Sequence, residues 1–275
     1  MNHAAAKMAL QFYLDHGVDE ALLDEAQDRT VLREVPKPSI EAKRAGPPLP
    51  QSPASDMVVG KSERRDEAVK LAKAAQTIDA LRDAVASFDG VTIKKTATNL
   101  VFCDGNPDAR VMVIGEAPGA DEDRQGKPFV GVTGQLLDRI LKCINLGRDE
   151  EDVAQAVYMS NILNWRPPGN RTPSLAEIEL SLPFIERHIQ LVQPDLLIFC
   201  GGVSAKSLLG STESISRLRK RWHDYTPQTP ELTKNAKPIS AIVTYHPEYL
   251  LKTPAQKRSV WADMLEIQKK LKELS

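Results

Sequence analysis

Ala109-Arg110-Val111-Met112-Val113-Ile114-Gly115-Glu116-Ala117-Pro118-Gly119 is the stretch that decides the fold. An apolar, β-branched run stops abruptly at a Gly-Glu-Ala-Pro-Gly turn, which reads as a buried strand over 109–114 feeding a tight connection. Three further short runs of this kind follow, Val157 to Leu163, Asp195 to Cys200 and Ile239 to Tyr245, each bounded by Gly, Pro or Asn. Helical patterns separate the first three. Leu136, Leu137, Ile140, Leu141 and Ile144 form one apolar stripe after Thr133, and Ser174 with Glu177 makes a capping box ahead of Ile178. Pro183 is expected to kink or divide that second helix. Strand and helix in alternation imply parallel strands with helical crossovers, so the expected fold is a three-layer α/β/α sandwich around a central four-stranded parallel sheet.

Outward from this core, the 275 residues with 41% hydrophobic content can bury one full core plus an appendage. Leu71, Ala75, Ile78, Leu81 and Val85 recur at helical spacing behind an acidic first turn of Glu63, Asp66 and Glu67, and predict one amphipathic helix. Six of the 19 prolines fall between Pro36 and Pro53 among Ser, Lys and Glu, a composition that buries too little apolar surface to offset its ordering entropy. Met8, Phe12 and Tyr13 keep helical spacing up to Gly17, and Val18 to Glu25 suit a second short helix. The expected organisation is therefore a helical segment over 1–30, a Pro-rich flexible linker over 31–61 and one globular domain over 62–275.

The net charge of −1 neither implies nor excludes nucleic acid, because a sum says nothing of local clustering. No apolar stretch approaches the ~18 residues that span a bilayer, and Met1-Asn2-His3-Ala4 lacks a charged-then-apolar signal pattern. A soluble, cytoplasmic protein is expected, nucleoid-associated if bacterial, with no membrane partner. Cys103, Cys143 and Cys200 form no C-x-x-C pair, so they read as three buried or half-buried thiols rather than metal ligands or a disulfide framework.

Four signatures remain: Gly115 to Gly119, Lys127-Pro128-Phe129-Val130-Gly131, Asn164 to Pro173 (NWRPPGNRTP) and Tyr245 to Leu251 (YHPEYLL). Taken singly, each has an ordinary explanation. The first suits any tight βα turn, Phe129 suits a core, and His246, Arg166 or Arg171 suit a polar surface. In an open parallel sheet, however, the carboxyl ends of the strands line one crevice, so motifs at those ends converge on a single site.

Together, in this order, the signatures resemble the uracil-DNA glycosylase superfamily, most closely its family four. That family shows a GE-x-PG turn, a G-x-PFVG run, an Asn on the second strand, an RPP-x-NR loop and a final HP-x-YLL loop. Here these are Gly115 to Gly119, Gly126 to Gly131, Asn161, Arg166 to Arg171 and His246 to Leu251, within about residues 88 to 270. The resemblance implies excision of uracil from DNA by hydrolysis of the N-glycosidic bond, after the base has been rotated out of the duplex. Phe129 would stack on the base, and Asn161 would read the O4 and N3–H edge that distinguishes uracil from cytosine. His246 would donate to O2, where charge grows as the base leaves. Glu116 would orient the water and stabilise positive charge on the sugar, with Ala117 beside it against the substrate. Some relatives carry the water-activating Asp where this chain has Ala117, so Glu116 acts alone or with Asp121, Glu122 or Asp123.

On the DNA side, Leu250 and Leu251, with Tyr249 on the same loop, are candidates to enter the minor groove. Arg217, Arg219, Lys220 and Arg221 form the densest basic cluster and, with Arg166 and Arg171, are the candidate phosphate contacts. Typical family-four members hold an iron-sulfur cluster on four cysteines, two ahead of the first strand and two flanking the RPP loop. Here Phe88-Asp89-Gly90-Val91 has none, Trp165 precedes Arg166, and Ser181 precedes Leu182. No cofactor and no metal are expected, with Trp165 and apolar neighbours filling that space. Nor does a basic insertion ending in His follow the RPP loop, so turnover by water is expected rather than a covalent adduct. The expected partner is uracil-containing DNA, bound by a monomer, with repair partners recruited through the N-terminal segment. Two alternatives stay open: a non-catalytic uracil-DNA sensor of the same fold, and a hydrolase of free nucleotides. Ser204 after Gly201-Gly202 has no G-x-S-x-G setting to support the latter.

Overall fold

The computed structural model of the protein describes residues 54–274 apart from 235, with side chains from residue 62 onward. The helical segment expected over 1–30 lies outside the described residues. In chain order the larger elements are α1 (Ala54–Ala74), α2 (Ile78–Ser87), β1 (Asp104–Gly105), β2 (Val111–Gly115), α3 (Ala120–Gln125), α4 (Val132–Lys142), β3 (Val157–Asn161), α5 (Leu175–Val192) and β4 (Leu196–Cys200). There follow α6 (Gly202–Leu209), α7 (Ile215–Leu218), β5 (His223–Tyr225), α8 (Pro230–Thr233), β6 (Ile239–Thr244), α9 (Pro247–Lys252) and α10 (Lys257–Leu274).

All four sequence-predicted strands form, parallel and adjacent in the order β3-β2-β4-β6. The sheet is nevertheless six-stranded. Antiparallel β1 pairs with β3 and antiparallel β5 with β6, one at each edge. With two and three residues these edge strands are too short to leave a periodicity in the sequence. They also blunt the edges of a sheet in which β2, β3 and β4 are buried throughout and β6 over its last four residues.

Alternate strand residues feed two separate cores. Met112, Ile114, Tyr158, Leu197, Phe199 and Val243 face one side, packing with α2, α5 and α6, while Val111, Val113, Val157, Met159, Ile198 and Ile242 face the other, packing with α4 and α10. This is the three-layer arrangement expected of strands that read apolar on both faces.

The single helix expected over 71–85 is two. Thr77 takes extended backbone geometry and its side chain accepts from Ala80 N at 3.1 Å, so a new helix starts where the apolar spacing alone continued. Conversely Pro183 does not divide α5, which runs unbroken over 18 residues from its Ser174–Glu177 capping box. Helix α1 begins at Ala54, inside the stretch read as linker. Cys143, expected to be at least half-buried, is exposed at the end of α4, because α4's apolar stripe passes through Leu137 and Leu141.

Candidate active site

Parallel register places the motif residues side by side. Gly115 at the end of β2 pairs with Asn161 at the end of β3, and Cys200 at the end of β4 pairs with Thr244 at the end of β6. The ladder continues past the strands, Ile162 N donating to Gly115 O and Leu163 N to Glu116 O, both at 3.1 Å, which fixes the backbone on either side of the two functional side chains.

Glu116, Ala117, Phe129, Asn161, Arg171 and His246 all line one cavity of about 470 Å³ at this end of the sheet. Residues more than a hundred positions apart thus meet, as the strand-end argument requires. A larger cavity, about 740 Å³, lies against the start of β6 and holds none of the signature residues.

Gly115 is needed for close approach. A Cβ there would sit 2.3 Å from Asn161 Oδ1 and 2.6 Å from the Phe129 ring. Phe129 and His246 stand with ring centroids 6.1 Å apart, tilted by 32°. His246 caps α9: its Nδ1 accepts from Glu248 N at 3.3 Å. An accepting Nδ1 assigns the imidazole proton to Nε2, leaving a donor on the other side of the ring. Burial pushes the His246 pKa down, outweighing the opposing pull of the Glu248 and Glu122 carboxylates, so the ring is held neutral. Glu116 is pushed the other way. Burial raises its carboxyl pKa, and the negative charge of Glu248 adds to the rise.

Three polar groups in this cavity are left open. Among the described residues no hydrogen bond or ion pair engages the Glu116 carboxylate, the Asn161 amide or the His246 Nε2, although Asn161 is only 3% exposed. Asn161 is buried and Glu116 and His246 are half-buried, and three open polar groups facing one space suit a ligand that completes them.

The acidic neighbours considered as helpers to Glu116 are otherwise engaged. Glu122 Oε1 accepts from Val130 N and Gly131 N, and Oε2 from Gly119 N, all at 3.1 Å, tying the first signature to the second. Asp123 Oδ1 accepts from Thr98 N and Asn99 N, and Asp121 pairs with Arg124. Of these four carboxylates, Glu116 is the one without a partner among the described residues.

The structure redistributes the DNA-side candidates. Leu250 is fully buried, packed into the core beside α4, and so is not free to act as the wedge expected of it, whereas Tyr249 and Leu251 are 40% and 42% exposed. Helix α9 buries Pro247 and Leu250, three residues apart on one face, which leaves Tyr249 and Leu251 outside it. Arg219 is not a phosphate contact either. Its side chain is 9% exposed, and the guanidinium pairs with Asp263 at 2.8 Å and lies 4.2 Å from the Tyr245 ring centroid. Arg217 and Lys220 remain exposed, and Arg221 is exposed but paired with Glu213. Arg166 Nε donates to Asn170 at 2.7 Å, and Arg171 grips Glu177 through both terminal nitrogens at 2.9 and 2.7 Å. Those two arginines shape the third signature's loop.

Around the positions that the resemblance gives to cluster ligands, the side chains are of another kind. Phe88 and Phe184 pack with ring centroids 5.3 Å apart, Trp165 packs on the same core, and the Lys94 ammonium stands 5.9 Å from the Trp165 ring. Lys94 also donates to Ala86 O and Asp89, both at 2.6 Å. Apolar rings and an ammonium offer no thiolate donors, so these residues do not fit an iron-sulfur cluster. Among the described residues no group of three or more His, Cys, Asp or Glu is placed to hold a metal ion, and no helix is long and apolar enough to cross a membrane.

Sequence reasoning missed Arg148, Glu248 and Lys252. The last two line the cavity as an ion pair at 2.7 Å; their i, i+4 spacing directly after His246 was the available signal. Arg148 gave none, being one cation at the end of an ordinary loop.

A family model for the uracil DNA glycosylase superfamily matches residues 102–265. Among curated proteins, the chain is 32% identical to a type-4 uracil-DNA glycosylase of Pyrobaculum aerophilum, over 67% of this chain and 89% of that protein. It is 32% identical to one of Sulfurisphaera tokodaii, over 72% and 85%. A third, from Thermotoga maritima, is 33% identical over 56% and 73%.

Proposed function

The chain belongs to the uracil DNA glycosylase superfamily and is a hydrolase of N-glycosyl bonds in uracil-containing DNA, and from that premise we propose that it is a monofunctional enzyme whose reaction runs in the cavity between Glu116 and His246. The observation that carries this reading is the convergence of three open polar groups, the Glu116 carboxylate, Asn161 amide and His246 Nε2, beside the Phe129 ring in one cavity.

A uracil rotated out of the helix stacks on Phe129 and meets the Asn161 amide along its O4 and N3–H edge. Cytosine presents the reverse pattern there and leaves buried polar groups unpaired, which is the strong form of discrimination. As the bond between sugar C1′ and uracil N1 breaks, the electron pair moves onto the base and charge grows at O2. The neutral His246 donates to that oxygen from Nε2, in a site where water no longer screens the interaction. Glu116, ionised, faces the positive charge left on the sugar, orients a water toward C1′ and takes its proton. The departing uracil anion takes up a proton from solvent and Glu116 gives its own back, so that free uracil, an abasic sugar and the ionised carboxylate result. The amine in the cavity, Lys252, is held by Glu248 at 2.7 Å, and a protonated, paired amine is no nucleophile, which supports turnover by water. All of these groups come from one chain, so a monomer suffices. Release of the base creates the substrate of repair enzymes that act on abasic sites, which supports a role at the start of base excision repair.

Release of free uracil from an oligonucleotide carrying one uracil tests the assignment. Asn161→Ala and His246→Ala are expected to lose about 10²- to 10³-fold in rate, the usual cost of removing a donor aimed at developing charge, and Glu116→Ala at least as much. Three variants with full activity would overturn the site. Binding of uracil-DNA by the parent with no abasic product would leave a sensing module instead.

A further inference from the structure

Phe129 is held at φ 55°, a left-handed conformation that costs a bulky residue on the order of 1–3 kcal/mol and so needs support from its surroundings. That support comes from two sides. On the amide side stands Glu122, which takes the N–H groups of Val130 and Gly131. On the carbonyl side stands Arg148, its side chain 8% exposed. Arg148 Nη1 donates to Pro128 O at 2.9 Å and Nη2 to Phe129 O at 2.7 Å. The same guanidinium is braced by Asp138 Oδ1, accepting from Nε at 2.9 Å and Nη2 at 2.8 Å, and by Asp104 Oδ2, accepting from Nη1 at 3.0 Å. Gly134 makes room: a Cβ there would lie 1.7 Å from Phe129 O.

We infer that Arg148 is a positioning residue for base excision: its braced fork pins the Pro128 and Phe129 carbonyls and so holds the strained Phe129 ring as a rigid stacking platform against Asn161 and His246. This rests on the stacking role proposed for Phe129. Arg148 itself does not line the cavity, so it acts only through the loop it grips. The fork is what the task needs. A lysine at 148 would keep the charge but, as a point donor on a flexible stem, would not hold two carbonyls and two carboxylates in one plane.

A double-mutant cycle on uracil release separates positioning from mere stability. The chains compared are the parent, Arg148→Met, Phe129→Ala and the double variant, with thermal melts confirming that each is folded at the assay temperature. Arg148→Met is expected to lower kcat about 10²-fold, the cost of displacing a positioned group by about 1 Å, with KM for DNA little changed. Arg148→Lys should recover only part of the loss. In the Phe129→Ala background, Arg148→Met should cost less than about 3-fold, because the platform it holds is gone. Equal losses in both backgrounds would overturn this inference and leave the stacking role intact. Full activity of Phe129→Ala would overturn the stacking role, and the inference with it. Should Arg148→Met fail to fold, Arg148→Lys carries the same cycle.

Discussion

Two ionisable side chains in the cavity are pushed in opposite directions by the same dry setting, which suits the roles proposed for them. Burial keeps His246 neutral and its Nε2–H available, while burial and the nearby Glu248 charge raise Glu116 above the ordinary carboxylate value of 4.5. Glu116 works ionised, so the acid limb of kcat/KM should rise with pH through a value above the usual carboxylate range. Glu116→Gln should abolish that limb. Glu248→Gln removes the second cause of the rise and should move the limb to lower pH. A limb unchanged by both substitutions would mean that another group titrates. The stability sign is the reverse of the activity sign: with its folded pKa raised, Glu116 adds stability below its unfolded value, and this is lost as pH rises through the folded one. The residue types at 116, 129, 161 and 246 were legible in the sequence, since the motifs quote them directly. Their charge states were not, because these depend on Glu248 and on burial supplied by other segments.

Helix α5 shows how one element supports the third signature's loop. Ser174 Oγ accepts from Glu177 N, and the Glu177 carboxylate returns to Ser174 N at 2.8 Å while gripping Arg171. Arg171 and the capping box hold the Glu177 carboxyl down at about 2. Its contribution to stability is therefore present above the unfolded carboxylate value and is lost as pH falls toward about 2. Arg171 is largely exposed, so the ion pair itself is worth little and the cap carries the energy. Ser174→Ala should cost about 1 kcal/mol in urea unfolding and loosen the loop after Arg166; an unchanged midpoint would show the cap to be idle. This box is legible as S-x-x-E in the sequence alone, because capping is local chemistry. The break between α1 and α2 was not, since the apolar spacing runs through it and the deciding contact is a single Thr77 hydroxyl. Leu250 failed for a related reason: a Leu pair in a loop does not say which member faces the core.

Across the whole molecule, Arg219 links three segments far apart in sequence, with its guanidinium on the Tyr245 ring, its charge on Asp263 from α10, and a further bond to Ser259 O at 2.7 Å. Asp263 in turn accepts from Thr244 at the end of β6. Arg219→Met leaves that carboxylate buried and unpaired, and should destabilise the fold by about 3–5 kcal/mol. Lys220→Ala, one residue on and exposed, should leave the melting temperature unchanged; if it contacts phosphate, it should weaken DNA binding and lower the slope of log affinity against log salt by about 1. Equal effects of the two variants on stability would refute the division. What the sequence by itself determined was the alternation of apolar strands and amphipathic helices, the strand-end placement of the signatures, and hence one site at the carboxyl edge of a parallel sheet. These follow from periodicity and turn chemistry, which act over a few residues. Only the tertiary structure decided which groups stay open and which are consumed: among the described residues the Glu116 carboxylate, the Asn161 amide and the His246 Nε2 have no partner, while Glu122, Arg148, Arg219 and Leu250 are bound into the frame. That division depends on partners brought together from distant segments, and no local pattern records them.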